Sequence, residues 1–222
     1  MVSDLLTQYD VVIFDCDGVI VDVNLLKCEA FGKTVEGYPS KVVNDFVSHC
    51  KMTFGVSRYI KFKEFFSDYA KKPFNEEEYN RLLNKYSIIC NDVYKVAKIT
   101  PGCEILLSEL FKQKKNLYVA SGSDEKELNE IFKIRGLSKY FKGVFGSPKN
   151  KLECATNILK KHLNKKAVFI GDAISDMKTA KQLGIDFIYM SNYTVQSAEQ
   201  DLLCRDGATL VISTLEELRI AQ

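Results

Sequence analysis

The chain has no tryptophan and only two histidines and four prolines among its 222 residues. His49 and His162 show no ligand spacing and no partner signature, so they read as surface or packing residues, and no zinc pattern is present. Seven cysteines, at 16, 28, 50, 90, 103, 154 and 204, are scattered singly without a C-x-x-C pair. That pattern predicts reduced, mostly buried thiols rather than a disulfide framework. No apolar run approaches membrane-spanning length. The opening Met1-Val2-Ser3-Asp4 lacks the basic and apolar segments of a signal peptide, so a cytoplasmic chain is expected. The sequon at Asn192-Tyr193-Thr194 is then a chance match. Charge of one sign is also missing: 31 lysines and arginines against 29 acidic residues leave a net +2. Such a balance predicts neither a nucleic-acid nor a membrane partner. Repeats, low-complexity tracts, a Walker loop and a dinucleotide fingerprint are absent.

What is present is an ordinary soluble composition, 46% apolar and 27% charged, in a length that suits one domain or one domain carrying a smaller insertion. The most pointed stretch is Val11-Val12-Ile13-Phe14-Asp15-Cys16-Asp17-Gly18-Val19. An apolar β-branched run ends in two carboxylates spaced by one residue. Residues two apart point the same way in a strand, so both negative charges gather at one strand end. A divalent metal or a shared proton would account for them; a plain Asp-Gly turn is the other reading. A calcium loop is excluded, because Gly18 comes too early and the later acidic ligands are missing.

From Val21 to Val96 the periodicity is helical. Leu25, Cys28, Phe31 and Val35 give one stretch, and Val42 to Cys50 a second. Tyr59, Phe62, Phe65, Phe66 and Tyr69 give a third. A fourth opens at Asn75, with Glu78 as the partner in a capping box. From Pro101 onward, helices alternate with short apolar runs. Ile105, Leu106, Leu110 and Phe111 lie on one side of the first helix, and a second opens at Asp124 with Glu127 completing a box. The strands are Leu117–Ser121, Gly143–Gly146, Ala167–Gly171, Phe187–Met190 and Leu210–Ile212, and a closing helix is expected at Leu215–Leu218. The fold class is therefore α/β: a Rossmann-like three-layer core with a parallel sheet, plus an inserted all-helical domain. The expected boundaries are 1–20 and 97–222 for the core and 21–96 for the insertion.

In parallel sheets, ligands bind beyond the carboxyl ends of the strands. Four strand ends deliver polar residues there. They are Asp15 and Asp17; Ser121-Gly122-Ser123, a cradle for an anion at a helix start; Lys149-Asn150-Lys151; and Gly171-Asp172-Ala173-Ile174-Ser175-Asp176. Taken singly, each also reads as an ordinary strand-to-helix turn with capping residues or as solvated surface.

Together, Asp15-x-Asp17-Gly18-Val19, Ser121, Lys151 (or Lys149) and Gly171-Asp172-x-x-x-Asp176 resemble the four motifs of the haloacid dehalogenase-like hydrolase superfamily. The helical insertion after the first motif, and Pro101-Gly102 at the return, resemble the subfamily of phosphoglycolate phosphatase and β-phosphoglucomutase. The resemblance implies that Asp15 is a nucleophile giving an aspartyl-phosphate and that Asp17 is the general acid and base. It implies Mg²⁺ held by Asp15, the Asp17 backbone carbonyl and Asp172, with Asp176 as ligand or acceptor for metal waters. Ser121, Gly122 and the lysine would neutralise the phosphoryl oxygens. Lys151 is preferred to Lys149, because it opens its helix and is followed by Glu153.

Asp17 favours transfer to or from oxygen, since relatives that cleave carbon–halogen or phosphonate bonds depart at that position. The helical insertion, as a cap, would choose the substrate. There Arg58 falls among Phe62, Phe65 and Tyr69, with Lys61 flanking, so both are candidates to meet a substrate anion, unless Arg58 is a stem snorkelling to solvent. The expected function is a Mg²⁺-dependent phosphohydrolase of a small phosphorylated metabolite, acting as a monomer or homodimer. A phosphosugar mutase using the same motifs is the alternative, and a non-catalytic binding protein a remoter one.

Overall fold

The computed structural model describes residues 2–218, with side chains from Leu5 onward. Six strands form one sheet: β1 (Val11–Phe14), β2 (Asn116–Asp124), β3 (Gly143–Ser147), β4 (Ala167–Gly171), β5 (Asp186–Met190) and β6 (Leu210–Ile212). Their order is β3-β2-β1-β4-β5-β6 and every pairing is parallel. Val11 aligns with Asn116 on one side and Ala167 on the other. All four residues of β1 are buried and apolar, as a central parallel strand covered on both faces requires. β1 lies where the strand order reverses, so the carboxyl ends of β1, β2 and β4 open a crevice at that point.

Between β1 and β2 the chain runs through α1 (Asn24–Thr34), α2 (Ser40–Met52), α3 (Arg58–Glu64) and α4 (Glu76–Val96). The third helical stretch is not uniform: after Glu64 it widens into a π-turn over Phe65–Tyr69. Aromatic rings hold this segment together. Phe31 stacks on Tyr86 at 4.2 Å and lies 5.5 Å from Phe62, and Phe46 lies 4.8 Å from Phe65. The two connections to the sheet run side by side, with Val21 bridging Ile99 and Asp22 N donating to the Lys98 carbonyl at 2.9 Å.

The remaining helices are α5 (Cys103–Lys112), α6 (Glu125–Ile134), α7 (Lys151–Leu159), α8 (Ile174–Leu183) and α9 (Ala198–Gly207). Side-chain alternation along β1 separates two apolar layers. Val12 and Phe14 pack with Leu106, Leu110, Leu128 and Phe132 of α5 and α6. Val11 and Ile13 pack with Cys154, Ile158 and Ala180 of α7 and α8. The expected three-layer α/β architecture is the one observed. All seven cysteines are buried free thiols.

Several local expectations change. Leu25 is 64% exposed, because the buried stripe of α1 is Asn24, Lys27, Cys28, Phe31 and Thr34. Ile105 and Phe111 point outward, while Cys103, Leu106, Leu107 and Leu110 form the inner stripe of α5. Leu215–Leu218 is a short 3₁₀ turn, and another 3₁₀ stretch, Val2–Gln8, precedes β1. Both capping boxes are half formed. Asn75 and Asp124 accept from the amides of Glu78 and Glu127, at 2.8 and 3.0 Å. The two glutamate carboxylates turn instead to Arg81 and Arg58, since a bidentate arginine outbids a neutral amide.

Candidate active site

The first carboxylate sits one residue beyond β1, with Asp15 N donating to the Ile170 carbonyl at 2.9 Å. That bond extends the ladder and fixes where the side chain starts. Asp15 is 1% exposed. Lys151, the first residue of α7, reaches across so that Nζ lies 2.7 Å from Asp15 Oδ2 and 2.5 Å from Asp176 Oδ1. A complete capping box between Asn150 and Glu153 holds the start of α7 in place. Lys151 thus stands beside the first strand end, whereas Lys149 is exposed. Burial pushes the Asp15 carboxyl up to about 7 against the pull of Lys151.

Asp172 and Asp176 come from the end of β4 and the first turn of α8. Asp176 Oδ2 accepts from the amides of Asp172 and Ala173, at 3.2 and 3.1 Å, which ties the turn to the helix. Carboxylate oxygens of Asp15, Asp172 and Asp176 all lie within 4.8 Å of one another, and all three residues are buried. Burial, and then the charges of Asp15 and Asp176, push the Asp172 carboxyl well above its ordinary value. Among the described residues, Lys151 is the one ammonium paired with this cluster, and Asp172 Oδ1 is buried without a hydrogen-bond partner. Three buried carboxylates with one cation and an unfilled oxygen fit a hard divalent cation, whose preferred ligands are oxygens.

Asp17 behaves differently. Its carboxylate turns to Lys27 Nζ at 2.6 Å and Ser123 Oγ at 2.6 Å, and Tyr94 OH also donates to it. Burial alone would raise this carboxyl, but the Lys27 ammonium, aided by bonds from Ser123 and Tyr94, holds it below the usual range. Gly18, next in the chain, has φ +76°, and a Cβ there would run into Asp172 and Asn24. Only glycine permits both the left-handed backbone and that close approach.

The cradle residues lie at the end of β2. Ser121 is buried and its Oγ accepts from Ser123 N at 3.2 Å. A Cβ on Gly122 would strike the Gly55 carbonyl of the helical segment, so the two backbones meet there. Between them lies a small cavity of about 30 Å³, lined by Asp15, Asp17, Ser121 and Gly122 from one side and by Lys27, Arg58 and Lys61 from the other. By the usual ~10–15 Å³ per water, it has room for about two waters.

Arg58 and Lys61 are both buried, at 4% and 1% exposure, so the picture of an Arg58 stem snorkelling to solvent is corrected. Arg58 makes a bidentate pair with Glu127 of α6, both contacts 2.7 Å, and lies over the Tyr86 ring. Lys61 Nζ donates to the Cys50 carbonyl at 2.9 Å and pairs with no carboxylate among the described residues. His49 pairs with Glu64 and His162 with the Tyr118 hydroxyl, both away from the cavity lining. Sequence reasoning missed Lys27, Tyr94, Ser175 and Asn24. Asn24 Nδ2 donates to Asp172 Oδ2 at 2.5 Å and to the Tyr193 carbonyl at 2.8 Å. Ser175 Oγ is buried without a partner, against Gly55.

The sequence profile of the haloacid dehalogenase-like hydrolases matches residues 12–190. The chain belongs to that family. A search of curated protein sequences finds no significant match. Solved structures with the same fold include a predicted phosphoglycolate phosphatase from Haemophilus somnus, 15% identical with a TM-score of 0.77, covering 96% of this chain and 97% of that one. Another is a β-phosphoglucomutase from Clostridium difficile, 22% identical with a TM-score of 0.73, covering 95% and 93%. A haloacid dehalogenase-like hydrolase from Streptococcus pneumoniae is 21% identical with a TM-score of 0.70, covering 96% and 97%. No helix among the described residues is long and apolar enough to cross a membrane.

Proposed function

We propose that this hydrolase is a Mg²⁺-dependent phosphatase of a small phosphorylated metabolite, working through an aspartyl-phosphate on Asp15. The observation that carries this reading is the Asp15–Lys151–Asp176 triad beside Asp172 at the carboxyl end of β1 and β4. Asp15 attacks phosphorus while the ester oxygen leaves with a proton from Asp17, whose carboxyl must first part from Lys27 and take up that proton, because in this arrangement the ammonium keeps it ionised. Asp17, then anionic, takes a proton from water, the water oxygen bonds to phosphorus, and the bond to Asp15 breaks. Ser121, Gly122 and Lys151 compensate charge on the phosphoryl oxygens throughout. Asp15, the Asp17 backbone carbonyl and Asp172 would hold Mg²⁺, with Asp176 orienting Lys151 and the turn. The ion would supply positive charge against the phosphoryl group. Residues 1–20 and 97–222 form the catalytic core, residues 21–96 the cap, and Arg58 and Lys61 face the substrate from the cap. The seven buried free thiols support a cytoplasmic setting.

The similarity in fold to a β-phosphoglucomutase supports a second reading, transfer between two oxygens of a phosphosugar. One assay separates them. The protein is incubated with sugar phosphates, phosphorylated acids and nucleotides, with Mg²⁺ and with chelator. Free phosphate released only with Mg²⁺ is the expected result. An isomerised phosphosugar without release supports the mutase, and no turnover of any ester contradicts both.

A further inference from the structure

The net charge of +2 conceals an uneven distribution. Residues 111–115, 133–142 and 160–166 lead into the starting ends of β2, β3 and β4. In a parallel sheet all strands start at one edge, here the edge opposite the active site. The three stretches carry three, four and four lysines or arginines, and not one aspartate or glutamate. Lysines at the ends of α5, α6 and α7 offset the helix dipoles, which accounts for some of the charge but not for the missing acids. Lys165 reaches Asp10 at 3.6 Å and Lys166 reaches Asp186 at 3.9 Å, long and exposed contacts of the kind that neutralise little. Burial, and then the charges of Lys142 and Lys161, push the His162 ring below its ordinary range, so two of the stretches bear on one ring. Each stretch also presents one large apolar side chain to solvent: Phe111 is 52% exposed, Ile134 70% and Leu163 76%. Leu163 stands between two lysine pairs, in Lys160-Lys161-His162-Leu163-Asn164-Lys165-Lys166.

We propose that this edge of the molecule is a docking surface for an anionic membrane, with the lysines among the lipid phosphates and Phe111, Ile134 and Leu163 entering the interface. Basic side chains around protruding apolar ones are complementary to such a surface in both charge and polarity. A single-stranded nucleic acid would call for free aromatic faces and arginine forks. The nearby rings are already covered, with Lys161 over Phe145 at 5.6 Å, Lys139 over Tyr140 at 4.9 Å and Lys166 over Tyr9 at 5.1 Å. The arginine of these stretches, Arg135, is tied to the Tyr94 and Ala97 carbonyls at 2.8 and 2.7 Å. Docking by this edge leaves the crevice at the carboxyl ends of the strands facing away from the bilayer. The inference does not depend on the chemistry at Asp15.

The test is sedimentation of the full chain with vesicles of phosphatidylcholine alone and of equal parts phosphatidylcholine and phosphatidylserine. Binding to the anionic vesicles and not to the neutral ones is expected, and it should fall steeply as added salt screens the charges. Lys160→Gln with Lys161→Gln should weaken it about 10- to 30-fold, at about fivefold for each lysine near an anionic surface. Leu163→Ser keeps every charge and should still weaken it about fivefold, the effect of withdrawing one aliphatic side chain from the interface. Lys71→Gln with Lys72→Gln removes the same charge from the exposed surface of the cap and should change it less than about twofold. Equal binding to neutral vesicles, no binding to either kind, or equal losses from the two double variants overturns the proposal. Capture of a single-stranded RNA oligonucleotide, lost with Lys160→Gln and Lys161→Gln and accompanied by no binding to vesicles, also overturns it and gives the surface to nucleic acid.

Discussion

The two walls of the cavity are built on opposite principles. The α/β side places carboxylates at strand ends, Asp15, Asp172 and Asp176, around the single ammonium of Lys151. The helical side places cations among aromatic rings, Lys27, Arg58 and Lys61 beside Phe31, Phe54 and Tyr86. One wall has too little positive charge and the other has some left over. A phosphate ester needs both: a divalent cation beside the phosphoryl group, and a place for the rest of the molecule. Under the proposed function, that difference assigns the chemistry to the sheet edge and the choice of molecule to the helices.

That division can be broken first at Asp15. Asp15→Asn should lower kcat by about a thousandfold or more with little change in melting temperature, because it removes the proposed nucleophile but not the fold. A variant with more than a tenth of normal turnover (roughly, given the usual size of nucleophile effects) would place the chemistry elsewhere. Next, Lys151→Met should cost about 3–5 kcal/mol in urea unfolding, the range for stripping a buried charge of its partner. Millimolar Mg²⁺ should recover part of that loss. The opposite sign is expected for Lys61→Met, so two buried lysines facing one cavity should shift stability in opposite directions.

The sheet side was largely legible because its signals are local. Asp15 and Asp17 follow one apolar strand, Asp172 and Asp176 flank one turn, and Lys151 opens one helix, so a few residues of spacing fix each position. Their convergence follows from parallel order alone. The helical side was less legible, because its contacts join distant residues. Tyr94 reaches Asp17 across 77 positions and Glu127 reaches Arg58 across 69. Lys27 did leave a signal. With Asn24 it lies on the stripe of α1 that also carries Cys28 and Phe31, where a polar residue calls for a partner. Cys28, Phe31 and Val35 do lie on the buried side, and only Leu25 does not; the place at the start of the stripe belongs to Asn24, whose polar side chain disguises it.

Asn24 gives the next test, since this cap residue bonds directly to Asp172. Partners of a ligating carboxylate are worth about 10- to 100-fold in metal affinity. Asn24→Ala should weaken Mg²⁺ binding by that factor in calorimetry, and an unchanged affinity would detach the helices from the acidic cluster. The smallest effect concerns thiols in both regions. Burial pushes Cys154 and Cys204 up to about 11 and Cys50 and Cys103 up to about 12. Because the folded values lie above the unfolded ones, this stability is complete below the ordinary thiol range and is lost as pH rises through 11 and 12. Melting followed by circular dichroism should therefore show a falling midpoint above about pH 9, in helices and sheet alike. A midpoint flat through that range would contradict the burial of these thiols.

The most direct measurement is chemical. Wild-type protein turning over a phosphate ester with Mg²⁺ is quenched in acid, digested and examined by mass spectrometry. A phosphoryl group on the Asp15 carboxylate, absent from Asp15→Asn, is the predicted result. Turnover that leaves Asp15 unmodified, with the phosphoryl group on another residue, would contradict the account.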